Sequence, residues 1–452
     1  MASIIERIKG SSIMQKAVRS SALTIGYFGA SQIIRLLSNL VLTRLLFPEA
    51  FGIMALATVF LTGLNQFSDI GVTPSVIRSK RGEDPQFLNT AWTLKIIRSF
   101  VLWLIAWTMA WPLSAFYGEP LLAQIIPVMA TTLILEGLLP TKIELSYRHL
   151  KLGPLTAIEL LANLLGVTVM IFLAWTMGSI WALPIGTVIG AAIRLVCHHF
   201  LLPGQKNWFH FDVHALSELI SFGKWIFPAT IATFIMIEAD KFLLGKYVTL
   251  ETLGIYNIGY FLASFPFMLS RVLGSRVMVS YYKNANDEDS LGTNKKARKL
   301  LFSLFGGMAM SVIPLVLIGT WLVGFLYDER YVSAGLVLVT LTAMHIPHIA
   351  QIPYQNAVLA ISSARNYFTL MAIKAVIVVA CIWIGLENFG LLGAILGQGV
   401  AMILVYPVII FYARKVKAHD PLFDVTMMSI AGTALGLAWW LYSDQITNLI
   451  VY

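Results

Sequence analysis

GASQIIRLLSNLVLTRLLFPEAFGIMALA (residues 29–57) holds two apolar runs parted by the short turn PEA. The first run carries Gln32, Arg35, Asn39 and Thr43 along one helical face. An arginine inside such a run, followed by a tight turn and a second apolar helix, reads as the opening hairpin of a helical membrane protein. The same pattern continues along the chain. Thirteen apolar runs fall near 21–44, 50–76, 88–112, 121–145, 153–177, 179–202, 218–246, 252–277, 299–326, 331–361, 366–386, 389–413 and 422–442. Several exceed the about 20 residues needed to cross a bilayer, so tilt or kinks are expected.

Composition agrees. Of 452 residues, 58% are hydrophobic and 12% charged, with mean hydropathy +0.78, against about 25% charged in soluble domains. The runs are continuous rather than alternating, which selects helices over a β-barrel. The net charge of +9 follows from basic connections beside an anionic leaflet rather than from nucleic-acid binding. Two cysteines, Cys197 and Cys381, give no disulfide framework.

The cations set an orientation. Most of the 32 Lys and Arg fall in every second connection: residues 7–19, 78–81, 142–151, 206, 276–299, 365 and 414–417. The intervening connections hold only Lys246 and Arg330. By the positive-inside rule the N-terminus is cytoplasmic, with residues 1–20 an interfacial segment. The tail after Ser443 lies outside, too short for an ordinary fourteenth span. No extramembrane stretch is long enough to fold as a catalytic domain, and no nucleotide-binding loop or nucleophile elbow occurs, so the chain is expected not to be an enzyme.

A weak repeat divides the chain. RLLFPEAFG (44–52) and ADKFLLGKYVTLETLGIYNIG (239–259) each lead from a helix with a cation near its end, through a short turn, into a Gly-Ile that opens the next helix. Gly52 then corresponds to Gly254. The organisation predicted is a six-helix N-terminal lobe (21–202), a connector (203–217), a six-helix C-terminal lobe (218–413) and an extra helix with a short tail (414–452). Repeated halves around a midplane site are a transporter design.

Charges inside hydrocarbon usually face a cavity or a partner. Polar stripes concentrate on spans 1, 2, 7 and 8: Gln32, Arg35 and Asn39; Asn65, Gln66 and Asp69; Glu238, Asp240 and Lys241; Asn257, Tyr260, Ser264 and Arg271. Polar bonding between helices would also place such residues there. Arg35, about 14 residues from the inner end and so roughly 20 Å deep, is too deep for glue alone. Arg98, Arg271 and Lys374 are the other candidate cavity cations, suited to a phosphorylated head group. Lys95, Arg194 and Lys224 read as snorkelling residues. The acids within the runs are Asp69, Glu136, Glu159, Glu238 and Asp240; Asp69, Glu136, Glu238 and Asp240 are the candidate ion-coupling carboxylates, with Asp240 beside Lys241 also readable as a local pair. Span 10 adds His345 and His348 with Pro347 and Pro353, a kinked polar helix rather than a metal site. No metal or cofactor is expected beyond an H⁺ or Na⁺ gradient.

The stretch 29–57, together with SDIGVTPSVIR (68–78), TAWTLKIIR (90–98) and SAFYGEPLL (114–122), resembles the polysaccharide-transport flippases of the Wzx type, within the multidrug/oligosaccharidyl-lipid/polysaccharide exporter superfamily. The resemblance covers the first quarter by motif and the rest by topology. It implies an all-α polytopic membrane protein, two six-helix lobes around a central V-shaped cavity lined by spans 1, 2, 7 and 8. The implied activity is flipping of undecaprenyl-diphosphate-linked oligosaccharide units across the bacterial inner membrane. The implied partners are that lipid-linked cargo, membrane lipids, and the polysaccharide polymerase and export machinery, with no nucleic acid. Members carry twelve or fourteen spans where this chain shows twelve or thirteen, so residues 422–452 decide the count. Alternatives are a lipid-linked peptidoglycan-precursor flippase, a cation/drug antiporter, or a membrane polysaccharide polymerase or ligase.

Overall fold

Turn chemistry already visible in the sequence sets many helix ends. The structure, a computed structural model, describes residues 13–68, 71–284 and 295–446. Among these, every regular element is helical. In chain order the helices are α1 (Ile13–Leu45), α2 (Pro48–Phe67), α3 (Val72–Arg78), α4 (Pro85–Tyr117), α5 (Leu122–Gly137), α6 (Lys142–Arg148), α7 (Leu152–Met177), α8 (Ala182–Leu201), α9 (Val213–Tyr247), α10 (Leu250–Ala263), α11 (Phe265–Leu273), α12 (Val279–Asn284), α13 (Lys295–Leu301), α14 (Gly307–Met310), α15 (Val312–Leu326), α16 (Ala334–Met344), α17 (Ile346–Ile361), α18 (Ala364–Lys415) and α19 (Pro421–Ile446). Asp84 caps α4, accepting from the Gln86 amide at 3.0 Å with Pro85 at the first helical position. Thr249 caps α10 and Ser363 caps α18.

Among the described residues, seven helices are long and apolar enough to cross a membrane, or up to ten spans if each bent pair is one span. The bends have local causes. A 59° bend parts α5 from α6 at Pro140, and a 47° bend parts α10 from α11 just before Pro266. The 42° bend between α16 and α17 falls at His345, before Pro347. Pro347 thus supplies the predicted kink, whereas Pro353 lies inside an unbroken helix. Within α18 the chain turns back at Phe389–Gly390. Gly390 has φ 56° and ψ −141°, a conformation reserved for glycine. The two predicted runs 366–386 and 389–413 therefore form a helical hairpin, with Gly385 and Gly393 backbone to backbone. A fourteenth crossing would fall on residues 447–452, outside the described residues.

The outer surface is apolar. Phe200 is 81% exposed, Trp440 76% and Trp111 75%, as lipid-facing side chains are and water-facing ones are not.

The chain forms two compact units: residues 1–46 with 60–230, and residues 47–59 with 231–452. In the first unit α4 packs on α5, α7 on α8, α1 on α7 and α5 on α8. The predicted connector, 203–217, is strapped onto α4. The Asn89 side chain accepts from the Trp208 amide, Thr93 from the His210 amide and Thr90 from the Asp212 amide, each at 3.1 Å. Arg81 donates to both Asp84 and Asp212 at 2.8 Å. These hydrogen bonds hold Arg81 above its ordinary pKa and both carboxylates below theirs. Trp208, Phe209 and Phe211 stay exposed, an aromatic edge suited to the membrane interface.

In the second unit α15 packs on α16, α10 on α16 and α17 on α18. The two glycines paired by the repeat meet here. A Cβ on Gly52 would strike the Leu250 carbonyl, and one on Gly254 would strike the Pro48 carbonyl. Each glycine faces the carbonyl four residues before its counterpart, so the contact is two-fold symmetric. The extra helix α19 is part of this unit: Phe423, Met427, Ala431, Ala434 and Ala438 form its buried stripe. Its start is fastened by buried polar bonds. Tyr354 and Tyr406 donate to Asp424 at 2.5 and 2.9 Å, His419 Nε2 lies 2.8 Å from the same carboxylate, and Arg298 pairs with Asp420 at 2.6 Å.

Candidate functional site

Four apolar helices of the first unit, α1, α5, α7 and α8, enclose a cavity of about 590 Å³. Its wall is mixed, with charged and polar side chains set among apolar ones: Gln32 and Arg35 from α1, Glu136 from α5, Glu159 and Asn163 from α7, Thr187 and Arg194 from α8. Ser31, Ser38 and Tyr27 complete the α1 face. The 3–4 residue spacing of Gln32, Arg35 and Ser38 puts all three on one side of that helix.

Arg35, predicted as a cavity cation, is exposed and lines this space. Arg98 is differently placed. It donates through Nη2 to the Asn65 side-chain oxygen at 2.6 Å and to the Asn65 carbonyl, and through Nε to Ser68 at 3.0 Å. Asn65 in turn donates to Glu136 at 3.0 Å. One amide thus links a cation to a carboxylate on the cavity wall, with Arg98 engaged by the end of α2. Gln66 and Asn39 are half-buried. Asp69 lies outside the described residues.

Arg194 corrects the snorkelling reading. It grips Glu159 with two parallel bonds, Nε to Oε2 at 3.0 Å and Nη2 to Oε1 at 2.8 Å, and both residues line the cavity. His198 follows one turn later, fully buried and 3.3 Å from the same carboxylate. Lys95 pairs with Glu144 of α6 at 3.0 Å. The missed signal was the i, i+4 spacing of Arg194 and His198 on span 6. Glu159, the partner of Arg194, is 35 residues away, which sequence spacing does not reveal.

The second unit brings four of its candidates, Asp240, Tyr260, His345 and His348, to a small cavity of about 30 Å³ that Phe267 and Gln398 also line. Asp240 is buried, accepts from Tyr256 at 2.5 Å and lies 3.5 Å from Gln398, while its Oδ1 has no hydrogen-bond partner. Lys241 pairs with Glu238 at 2.6 Å and sits 4.6 Å from the Tyr260 ring centroid. Asp240 is thus hydrogen-bonded to Tyr256, and Lys241 to Glu238. His345 Nδ1 is 3.3 Å from the Ala263 carbonyl, and His348 packs 4.1 Å from the Phe267 ring. Both are buried, in a tight space rather than on an open polar face. Ser264 is buried on the Phe261 carbonyl and Asn257 is half-buried.

Arg271 is exposed, its guanidinium 5.8 Å from the Phe267 ring. Lys374, read from the sequence as a cavity cation, is fully buried. It donates to Gln351 at 2.8 Å, and Gln351 donates to the Met402 carbonyl at 2.6 Å. Among the described residues no group of three or more His, Cys, Asp or Glu is arranged to hold a metal ion.

A family model described as polysaccharide biosynthesis protein matches residues 41–336. Among characterised proteins, the chain is similar to the teichuronic acid biosynthesis protein TuaB of Bacillus subtilis (strain 168), 20% identical over 65% of the chain and 60% of that protein. It is also similar to the succinoglycan biosynthesis transport protein ExoT of Rhizobium meliloti (strain 1021), 22% identical over 52% of the chain and 47% of that protein. The match thus spans about half to three fifths of those relatives' length. In fold, the chain is similar to the lipid II flippase MurJ in an inward closed conformation, with TM-score 0.69 and 15% identity over 96% of this chain and 97% of that one.

Proposed function

The chain belongs to the polysaccharide biosynthesis family, and we propose that it is a flippase for lipid-linked oligosaccharide repeat units. The cargo is an undecaprenyl-diphosphate-linked unit of exopolysaccharide, capsule or O-antigen type, moved across the bacterial inner membrane by ion-coupled alternating access, without covalent chemistry on the cargo. The observation that carries this reading is the 590 Å³ charged cavity inside otherwise apolar helices. Buried charge is costly, and such groups mark substrate paths. The names of two relatives, one a teichuronic acid biosynthesis protein and one a succinoglycan biosynthesis transport protein, point the same way.

In this reading Arg35 meets the diphosphate, with Arg98 of the same unit as supporting charge, and Arg271 is the candidate cation of the second unit. Gln32, Asn39, Asn65, Gln66, Asn257 and Tyr260 offer hydrogen bonds to sugar hydroxyls. The prenyl tail stays in lipid. Glu136, Glu238 and Asp240, together with Asp69, are the carboxylates through which an H⁺ or Na⁺ gradient drives the cycle. The N-terminus is cytoplasmic, and the polymerase and export machinery receive the cargo outside.

Deletion should leave lipid-linked repeat units on the inner leaflet. Arg35→Ala and Arg271→Ala should each reduce polysaccharide export with the protein still present in the membrane. Wild-type export in the double variant would end the charge-capture reading. The MurJ-like fold raises one rival, a peptidoglycan-precursor flippase; normal growth of the deletion strain excludes it.

A further inference from the structure

The Glu159–Arg194–His198 cluster does not close its hydrogen bonding without an added proton. His198 Nδ1 lies 2.8 Å from the Arg194 carbonyl oxygen. A carbonyl only accepts, so Nδ1 carries a hydrogen. In a neutral imidazole Nε2 then presents a lone pair. That atom is buried without an aligned hydrogen-bond partner, 3.3 Å from Glu159 Oε1. Lone pair against carboxylate oxygen in a buried site is repulsive, and one proton between the two removes the repulsion. The proton then belongs to the pair, on imidazolium or on carboxylic acid.

The surroundings give that proton a consequence. Glu159 is also the partner of Arg194, and both line the 590 Å³ cavity with Arg35. Tyr27 of α1 and Glu136 of α5 are within electrostatic reach of Arg194. On the same helix end, His199 is near Lys142 of α6 and Lys206, and Lys142 holds the His199 and Leu202 carbonyls at 3.0 Å. None of these is bonded to Nε2. Without the proton, Glu159 cancels Arg194. With it, the cluster gains one positive charge on the cavity wall.

We propose that His198 and Glu159 hold one exchangeable proton, and that its binding adds a positive charge beside Arg194 that favours an anionic phosphate in the cavity. The use of this linkage in transport rests on the flippase reading; the proton site does not. Linkage is reciprocal: if protonation strengthens anion binding, anion binding draws in a proton. Because the protonated cluster is the more positive one, affinity for the anion falls as pH rises.

The test uses the full chain in detergent, with inorganic pyrophosphate as the probe, between about pH 6 and pH 8, the range where histidine titrates. Wild type should bind less tightly as pH rises, by up to about tenfold per pH unit, the limit for one linked proton. Calorimetry in two buffers of different ionisation enthalpy should show proton uptake on binding. His198→Gln and Glu159→Gln should each flatten the pH dependence. A second measurement needs no ligand: infrared pH-difference spectra should show a titration lost in both variants, including any variant that no longer binds pyrophosphate. The same pH dependence in wild type and His198→Gln, or an unchanged infrared titration in both variants, overturns the proton site. Absence of pyrophosphate binding at every pH overturns its link to the anion. A deletion strain that accumulates no lipid-linked glycan, with the titration intact, overturns the flippase reading and leaves the proton site standing.

Discussion

At the scale of single residues, depth along a helix identifies a buried charge, and only its neighbours tell what it does. Arg35 and Lys374 both stand out in the sequence as cations in apolar runs. Arg35 opens onto a cavity, whereas Lys374 is sealed against Gln351. This difference is testable by stability. Gln351→Leu removes both bonds of that amide and leaves the Lys374 amino group and the Met402 carbonyl unpaired, at about 1–3 kcal/mol for each group. Lys374→Met removes the charge and leaves a neutral amide oxygen unpaired, at about 1–3 kcal/mol. Thermal unfolding in detergent should rank Gln351→Leu below Lys374→Met; the reverse order would mean that the ammonium has another partner. The sequence showed these residues as candidates because charge in hydrocarbon is rare. It did not show Glu159 with Arg194, or Asn65 with Arg98 and Glu136, because those partners come from different helices.

At the scale of elements, short-range chemistry was well legible. Caps at Asp84, Thr249 and Ser363, the bend before Pro347 and the reversal at Gly390 all follow from residue type. The repeat between 44–52 and 239–259 was a faint signal, yet Gly52 and Gly254 do sit in a symmetric close approach. Gly→Ala in an exposed helix normally stabilises it by about 1 kcal/mol. Here the added methyl would meet a backbone carbonyl on the neighbouring helix. Gly52→Ala and Gly254→Ala should therefore both lower the unfolding temperature, and a rise in either would disprove the close contact. The connector makes a pH prediction. Arg81 holds the Asp84 and Asp212 carboxyls below the ordinary aspartate value of 3.8. Groups with depressed values stabilise the fold above that value, and the stabilisation is lost as pH falls through the folded-state values. Amide exchange at 208–212 should speed up in acid below that range, and Arg81→Gln should show the fast exchange already at neutral pH. Equal protection in both proteins at neutral pH would show that the threonine and asparagine bonds to α4 suffice.

At the scale of the whole molecule, the cation rhythm makes a sided prediction. A cysteine at Lys206 should react with a membrane-impermeant thiol reagent only from the cytoplasmic side, and one at Glu329 only from outside. The native Cys197 is buried and adds little background; Cys381→Ser removes the other. Labelling of Lys206→Cys from outside would invert the topology.

The sequence by itself determined the class, the positions of the helices and the orientation expected of them. Those properties rest on hydrophobic run length, local turn chemistry and net loop charge, each written in consecutive residues. Tertiary structure alone decided that residues 47–59 belong with the second unit, that α19 is part of its core, and which buried charges are paired. Pairing depends on side chains far apart in the chain meeting at about 3 Å, a distance that periodicity on one helix cannot encode.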